Sequence, residues 1–389
     1  MKSKNIFLVM IGVFLLTVLG ACGGDNESSN AQGAWKENAN LDAEESMDDL
    51  YEKAKEEGEL VVYAQSSATE QTVNSFKEEY PDINVSVTKV SSVDMLEKIR
   101  LENEGDVQGA DVVVGKDSNG FWKNELLDNH MLHSYHPNHI ADNLISPYDQ
   151  YKGLPIITEV ITVMYNSDAN DNPPIESWWD LTTPEWQGRV TMKNPLEAAD
   201  IQDLFLTMIQ HSDEMEADYE ETFGEKLELN GTENAGYEFV KRLLDNDVVL
   251  MSSMGDSVDA VASSTSSEPP IVIASSVKLR DVESDGLPIQ MVHDITPKVS
   301  VPGTTSAFII DGTPNVNSAK LFIQWIAGGD DGTGAGFTPF NNPGTFSTRE
   351  DIEQDFVVPG LEQLDLWEED VDYYYQNVNE LRDFLIQTL

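Results

Sequence analysis

Three short runs of Val, Leu and Ile, separated by two amphipathic spacings, restrict the fold of this 389-residue chain more than any other feature. Leu60 to Tyr63 reads as a buried strand. Ser66, Ser67 and Thr69 are polar cap residues, and Val73, Phe76 and Tyr80 then recur at helical spacing until Pro81 stops them. Ile83 to Val87 alternates apolar with polar residues, as a strand does. Ser92 is expected to cap a helix carrying Met95, Leu96, Ile99 and Leu101, and Asp111 to Val114 forms a third strand ended by Gly115. This β-α-β-α-β order predicts a parallel sheet covered by helices.

The same reading extends in both directions. A helix from Ala43 to Glu57, stopped by Gly58, precedes the first strand. An irregular stretch from Lys116 to Lys152 follows the third. Leu154 to Tyr165 is then a run of Ile, Val and Thr long enough to pass from one lobe of a protein into another. Further strands are expected at Val190 to Met192, Val248 to Met251, Ile271 to Ala274 and Ala307 to Ile310. Helices are expected at Ala198 to Gln210, Asn234 to Leu244, from Ser257, at Ala319 to Ile326 and at Tyr373 to Ile386. The folded part, roughly 340 residues, exceeds what one core usually organises and suggests two lobes.

The N-terminus speaks to location. Lys2 and Lys4 precede an apolar run from Ile6 to Leu19 that is shorter than the ~20 residues a membrane span needs. Leu19-Gly20-Ala21-Cys22 then looks like a bacterial lipobox, which implies cleavage before Cys22 and acylation of its thiol. Cys22 is the only cysteine, so no internal disulfide competes for it. We therefore expect a signal peptide over 1–21, a disordered tether over 22–43, and a lipid-anchored protein on the extracellular face of the cell membrane. Lys plus Arg number 23 against 70 Asp plus Glu, a net charge of −47. Such a chain is not expected to bind nucleic acid, because phosphate binding requires a basic surface. Self-repulsion of this size is relieved by concentrated salt, which points to a salt-loving source.

The phrases "ELVVYAQSSATEQTVNSFKEEYPDINV" (59–85), "ADVVVG" (110–115), "LPIITEVITVMYNSD" (154–168), "SWWDLTTPEWQGRVTMKNP" (177–195), "SSMGDSVDAVASS" (252–264) and "TSAFIIDGTPNVNSAKLFIQWIAGG" (305–329) occur in one order along the chain. Together they resemble the extracellular solute-binding proteins of ABC importers, in the group containing ferric-iron, polyamine and sugar-phosphate receptors. The resemblance implies an α/β, two-lobed type II periplasmic-binding-protein-like fold with its ligand cleft between the lobes. Residues 44–158 with 295–345 are expected to form the first lobe, and 159–294 with 346–389 the second. It also implies a monomer that takes a small-molecule solute, docks on ABC permease subunits and needs no cofactor.

Candidate ligand contacts follow from strand ends that feed helix starts, where free N–H groups accumulate. Ser66 and Ser67 stand after the first strand; Lys116, Ser118 and Asn119 stand after the third. Asn194 stands before a helix of the second lobe, and Ser253, Asp256 and Ser257 before another. Tyr165 ends the long strand. Glu159 is a carboxylate inside it, beside Ile157, Val160 and Ile161, and it must find a donor or a cation because unpaired burial is costly. Trp178, Trp179 and Trp186 read as core. His130, His133, His136 and His139 recur every third residue, but Pro137 interrupts any common face, and no metal is assigned to them. Paired tyrosines of ferric receptors have no counterpart in "LMSSMGDSVDAVASS", and Tyr373 to Tyr375 read as helix packing.

Neither G-x-S-x-G nor H-E-x-x-H occurs, so an exported hydrolase is disfavoured and no catalytic residue is assigned. A small organic anion such as a phosphorylated compound suits Lys116 and helix N-termini and is the favoured solute. A polyamine suits Glu159, and ferric iron stays open as a third ligand. A sensor subunit for a signalling kinase would use the same fold.

Overall fold

The computed structural model describes residues 35–356 and 358–389. Cys22, the lipobox and most of the expected tether therefore lie outside the described residues. Residues 35–39 form a helical turn belonging to a separate small unit, and residues 40–389 form a second unit whose architecture follows.

The chain from residue 40 opens with α1 (Met47–Glu57), β1 (Glu59–Ala64), α2 (Ser67–Glu79), β2 (Asn84–Lys89), α3 (Ser92–Glu104) and β3 (Val112–Lys116). Leu60, Val62 and Ala64 are fully buried, and so are Val73 and Phe76 of the helix that covers them. Strands β2, β1 and β3 pair in parallel, as the alternation predicts. The α3 cap is Ser91 rather than Ser92: its side chain accepts from the Asp94 N–H at 3.2 Å, and the helix begins one residue later. The stretch after β3 is less irregular than expected, with a π-helical turn at Trp122–Leu127, a short β4 (Leu132–His133) and a single turn α4 (Asn138–Ala141).

β5 (Leu154–Asn166) organises everything that follows, and all but one of its residues are buried. Its first half pairs antiparallel with β10 (Pro302–Ile310), Val160 being the last paired residue. From Ile161 onward it pairs with β8 (Ile271–Ser275), and its end with β9 (Ile289–Met291). β8 adjoins β6 (Val190–Lys193), which adjoins β7 (Val249–Met251). The strand path is thus β2-β1-β3-β10-β5-β8-β6-β7, and β5 changes partners midway from one half of the sheet to the other. The sheet is mixed rather than wholly parallel, because β10 runs antiparallel to both β3 and β5. β10 also begins at Pro302, five residues before the apolar run that betrays it.

Helices α5 (Ala199–Gln210), α6 (Ser212–Phe223), α7 (Ala235–Asp245), α8 (Met254–Ala262) and α9 (Leu279–Asp285) belong to the second half, α10 (Val316–Ile326) packs on α1, and α11 (Val371–Thr388) closes the chain on α5 after the two-residue β11 (Phe346–Ser347). Trp178 and Trp179 are fully buried and Trp186 nearly so, in a cluster with Phe239. Tyr374 is buried with its hydroxyl 2.7 Å from that of Thr207, so the tyrosine run serves helix packing. Among the described residues no helix is long and apolar enough to cross a membrane.

Candidate functional site

The point where β5 changes partners collects charge from both halves of the sheet. Lys116 ends β3, held there by two bonds to Gln65: its N–H donates to the Gln65 Oε1 at 2.8 Å, and the Gln65 amide donates back to its carbonyl at 3.2 Å. Its Nζ reaches Glu159 Oε1 on β5 at 2.9 Å, with 23% and 12% of the two side chains exposed. The Ser275 hydroxyl, at the end of β8, donates to the same oxygen at 2.6 Å. Desolvation works against the Glu159 charge, but Lys116 and the two hydrogen bonds outweigh it and hold the carboxyl below its usual range. Lys116 is likewise raised: its desolvation is overcome by the charges of Glu159 and Asp200.

Four further carboxylates surround this pair. Asp117 accepts the Trp122 and Lys123 N–H groups at 2.7 and 2.8 Å, yet desolvation still pushes it up to about 7. Asp200 and Asp203 come from the first turns of α5. Asp203 accepts both the Asn119 N–H at 3.0 Å and its side-chain amide at 2.8 Å, and desolvation raises it well above the carboxylate range, with Glu369 and Asp200 adding to the effect. Glu369 precedes α11 and accepts the Tyr151 hydroxyl at 2.8 Å; desolvation pushes it up to about 8. These groups line a pocket of about 30 Å³ with Ser118 and Gly303, room for roughly one water. The two halves are therefore in contact here.

The sequence candidates divide around this cluster. Lys116, Ser118 and Glu159 line the pocket. Asn119 is fully buried behind it at a left-handed φ of 57°, which Asn tolerates, and also accepts from Arg382 at 3.1 Å. The others are engaged elsewhere. Ser66 caps α2 through the Thr69 N–H, and the Ser67 hydroxyl accepts from Lys89 at 2.8 Å. Asn194 accepts from the Leu196 N–H, and Ser253 caps α8 through the Asp256 N–H. The Asp256 carboxylate accepts from Ser252, and Ser257 is buried, donating to the Ser253 carbonyl. Tyr165 is buried six residues along β5 from Glu159, about 20 Å away, with its hydroxyl donating to Gln290 at 2.9 Å.

Asp203, Glu369, Tyr151 and Ser275 are contributors the sequence reading passed over. Asp203 carried a signal, an acid facing into the apolar run Leu204 to Ile209. Glu369 carried none, being one acid among 70. The histidines do not converge: His133 Nε2 lies 2.6 Å from Asp311 and His139 Nε2 3.2 Å from Asp330. Among the described residues no group of three or more His, Cys, Asp or Glu is arranged to hold a metal ion.

A mixed sheet whose halves share one crossing strand, with a polar crevice at the crossing, defines a two-lobed α/β binding protein. The chain belongs to the family of bacterial extracellular solute-binding proteins, whose pattern matches residues 71–347, well over half its length. Comparison with curated proteins finds no match. Among solved structures it is similar to the periplasmic binding protein P5PA (20% identity, TM-score 0.61, covering 85% of this chain and 99% of that one). It is similar also to AfuA from Actinobacillus pleuropneumoniae with fructose-6-phosphate bound (18%, TM-score 0.63, 85% and 98%) and to iron-bound HitA from Pseudomonas aeruginosa (13%, TM-score 0.66, 85% and 99%). At these identities the likeness speaks for the fold, and it agrees with the resemblance seen in the sequence.

Proposed function

We propose that this chain is the capture component of an ABC-type importer, gripping a small solute between lobes 44–158 with 295–345 and 159–294 with 346–389. The lipobox at Cys22 supports a lipid anchor on the extracellular face, from which the loaded protein reaches its permease. The observation that carries the reading is the charged cluster itself. Lys116, Glu159 and Ser275 come from one half, the crossing strand and the other half, and the bond from Asn119 to Asp203 spans the same junction. Groups so placed separate when the lobes rotate apart and are reassembled, around a solute, when they close.

The solute reading changes with the geometry. Lys116 taken alone favours an organic anion, but that ammonium is already bonded to Glu159 and stands among Asp117, Asp200, Asp203 and Glu369. A solute bringing donors, an amine or a polyol, suits this field better than a bare anion. A phosphorylated solute is the second reading, supported by the serine-capped helix starts at Ser66 and Ser253 and by the fructose-6-phosphate of one structural neighbour. A thermal-shift panel of polyamines, sugar phosphates, phosphonates and Fe³⁺ tests both. The amine class should stabilise by about 2.7 kcal/mol at a hundredfold excess over its Kd. Stabilisation by sugar phosphates alone would reverse the solute reading. If no class stabilises the protein and small-angle scattering shows one unchanging shape, the receptor reading fails.

A further inference from the structure

A cavity of about 980 Å³ opens beside the crevice and shares Pro302 and Glu369 with it. Its volume is that of a small-molecule site, whereas the crevice has room for roughly one water. Its walls are built by the chain just before β5 and by the long segment between β11 and α11. Tyr151, Phe356, Leu361 and Leu366 line it, and all four are only half-buried, so apolar surface faces the space. Four glutamates line it as well: Glu350, Glu362 and Glu368 are exposed, and Glu369 lies at the junction with the crevice. Among the described lining residues the one cation is Arg349. That guanidinium is already satisfied, donating to both Asp351 oxygens at 2.9 and 2.6 Å and to the Ala327 and Gly329 carbonyls.

We propose that this chamber is a second ligand site, distinct from the crevice, which takes an organic cation carrying alkyl groups on its nitrogen. Alkyl groups are received by the apolar walls and by the face of the Tyr151 ring, and the positive charge by the surrounding glutamates. A bare metal ion would leave the apolar walls unused, and an organic anion would meet three exposed glutamates with no free cation among the described lining residues. The site also reports its own occupation. Glu369, bonded by the Tyr151 hydroxyl, holds a proton at neutral pH, and a cation seated beside it favours its ionisation. Binding near pH 7 therefore releases protons.

Calorimetric titration of the purified protein with choline, against its uncharged carbon isostere dimethylbutanol, tests the site. Choline should bind at least about tenfold more tightly than the isostere. Its apparent heat should change with the ionisation enthalpy of the buffer. Tyr151→Leu should weaken choline about tenfold, while Tyr151→Phe, which keeps the ring, should retain binding. The paired variant Glu362→Gln with Glu368→Gln alters two exposed side chains and should also weaken it. Equal binding of choline and isostere, absence of choline binding to the wild-type protein, or unchanged affinity in both the Tyr151→Leu and the paired variant would each overturn the proposal. The receptor reading stands or falls separately, on the thermal-shift panel.

Discussion

At the scale of single residues, Lys116 and Glu159 are not equivalent partners despite sharing one ion pair 2.9 Å long. Glu159 has one cation in contact, a hydroxyl from Ser275 and the Arg280 charge at longer range. Lys116 has Glu159 in contact and the charge of Asp200 within reach. Replacing Glu159 by Gln therefore leaves the ammonium still compensated and should cost about 1 to 2 kcal/mol. Replacing Lys116 by Met leaves Glu159 without a cation in contact and should cost about 3 kcal/mol, because a partly desolvated charge loses its direct partner. Urea unfolding of both variants and of the double variant measures the difference and the coupling. Should Glu159→Gln prove the more damaging, Glu159 does not depend on Lys116, and the electrostatic account of the crevice is wrong.

At the scale of elements, the crossing of β5 is clipped by a loop rather than by its strand partners alone. The Val160 N–H donates to the Ser276 hydroxyl at 3.1 Å, and that hydroxyl donates to the Gly344 carbonyl at 2.6 Å. Gly344 has φ of +82°, and a Cβ there would sit 1.8 Å from the Ser276 carbonyl oxygen. Gly344→Ala should thus cost about 3 kcal/mol or more, combining left-handed strain with displaced backbone. Gly224→Ala, at φ of +71° with open space around it, should cost only the strain, about 1 kcal/mol. Equal melting temperatures for the two variants would show that the loop does not clip the strand. The sequence reveals β5 plainly, because a thirteen-residue, largely apolar stretch broken by only two threonines, one acid and a terminal Asn has few other uses. It conceals the clip, since Ser276 and Gly344 are 68 residues apart and neither lies in a periodic run. The same asymmetry runs through the site. Glu159 is legible as a charge out of place in an apolar strand, and Lys116 as a rare cation. Asp203 is legible only as an acid abutting an apolar run, Glu369 acquires its character only when folding removes water around it, and α6, with its acidic face, hides in a composition that is acidic everywhere.

At the scale of the whole molecule, charge sets how stability responds to solution conditions. Asp117, Asp203 and Glu369 have folded-state values raised above the ordinary range, to about 7 for the first and about 8 for the last. The folded protein therefore keeps protons that the unfolded chain has released, and stability falls as pH rises from near 4 through about 8. Glu238 acts in the opposite sense. Desolvation opposes its charge, but bonds from Thr232, Arg242 and Asn230 depress it to about 2, so its contribution is present above the unfolded value and is lost as pH falls toward 2. The two trends cross near pH 4, so stability declines throughout the range above it. A net charge of −47 adds a repulsion that also grows as the last carboxyls ionise. Salt divides these effects. A screening length of ~10 Å at 0.1 M shrinks to ~3 Å at 1 M, which removes long-range repulsion but leaves the desolvation of the crevice acids nearly untouched. Melting temperatures measured from pH 5 to 8 in dilute buffer should fall steeply, and molar potassium chloride should raise them most at pH 8 while a residual downward slope persists. A protein equally stable in dilute and concentrated salt at pH 8 would not be adapted to brine, and a slope that vanished with salt would mean the crevice carboxyls are not proton-loaded when folded.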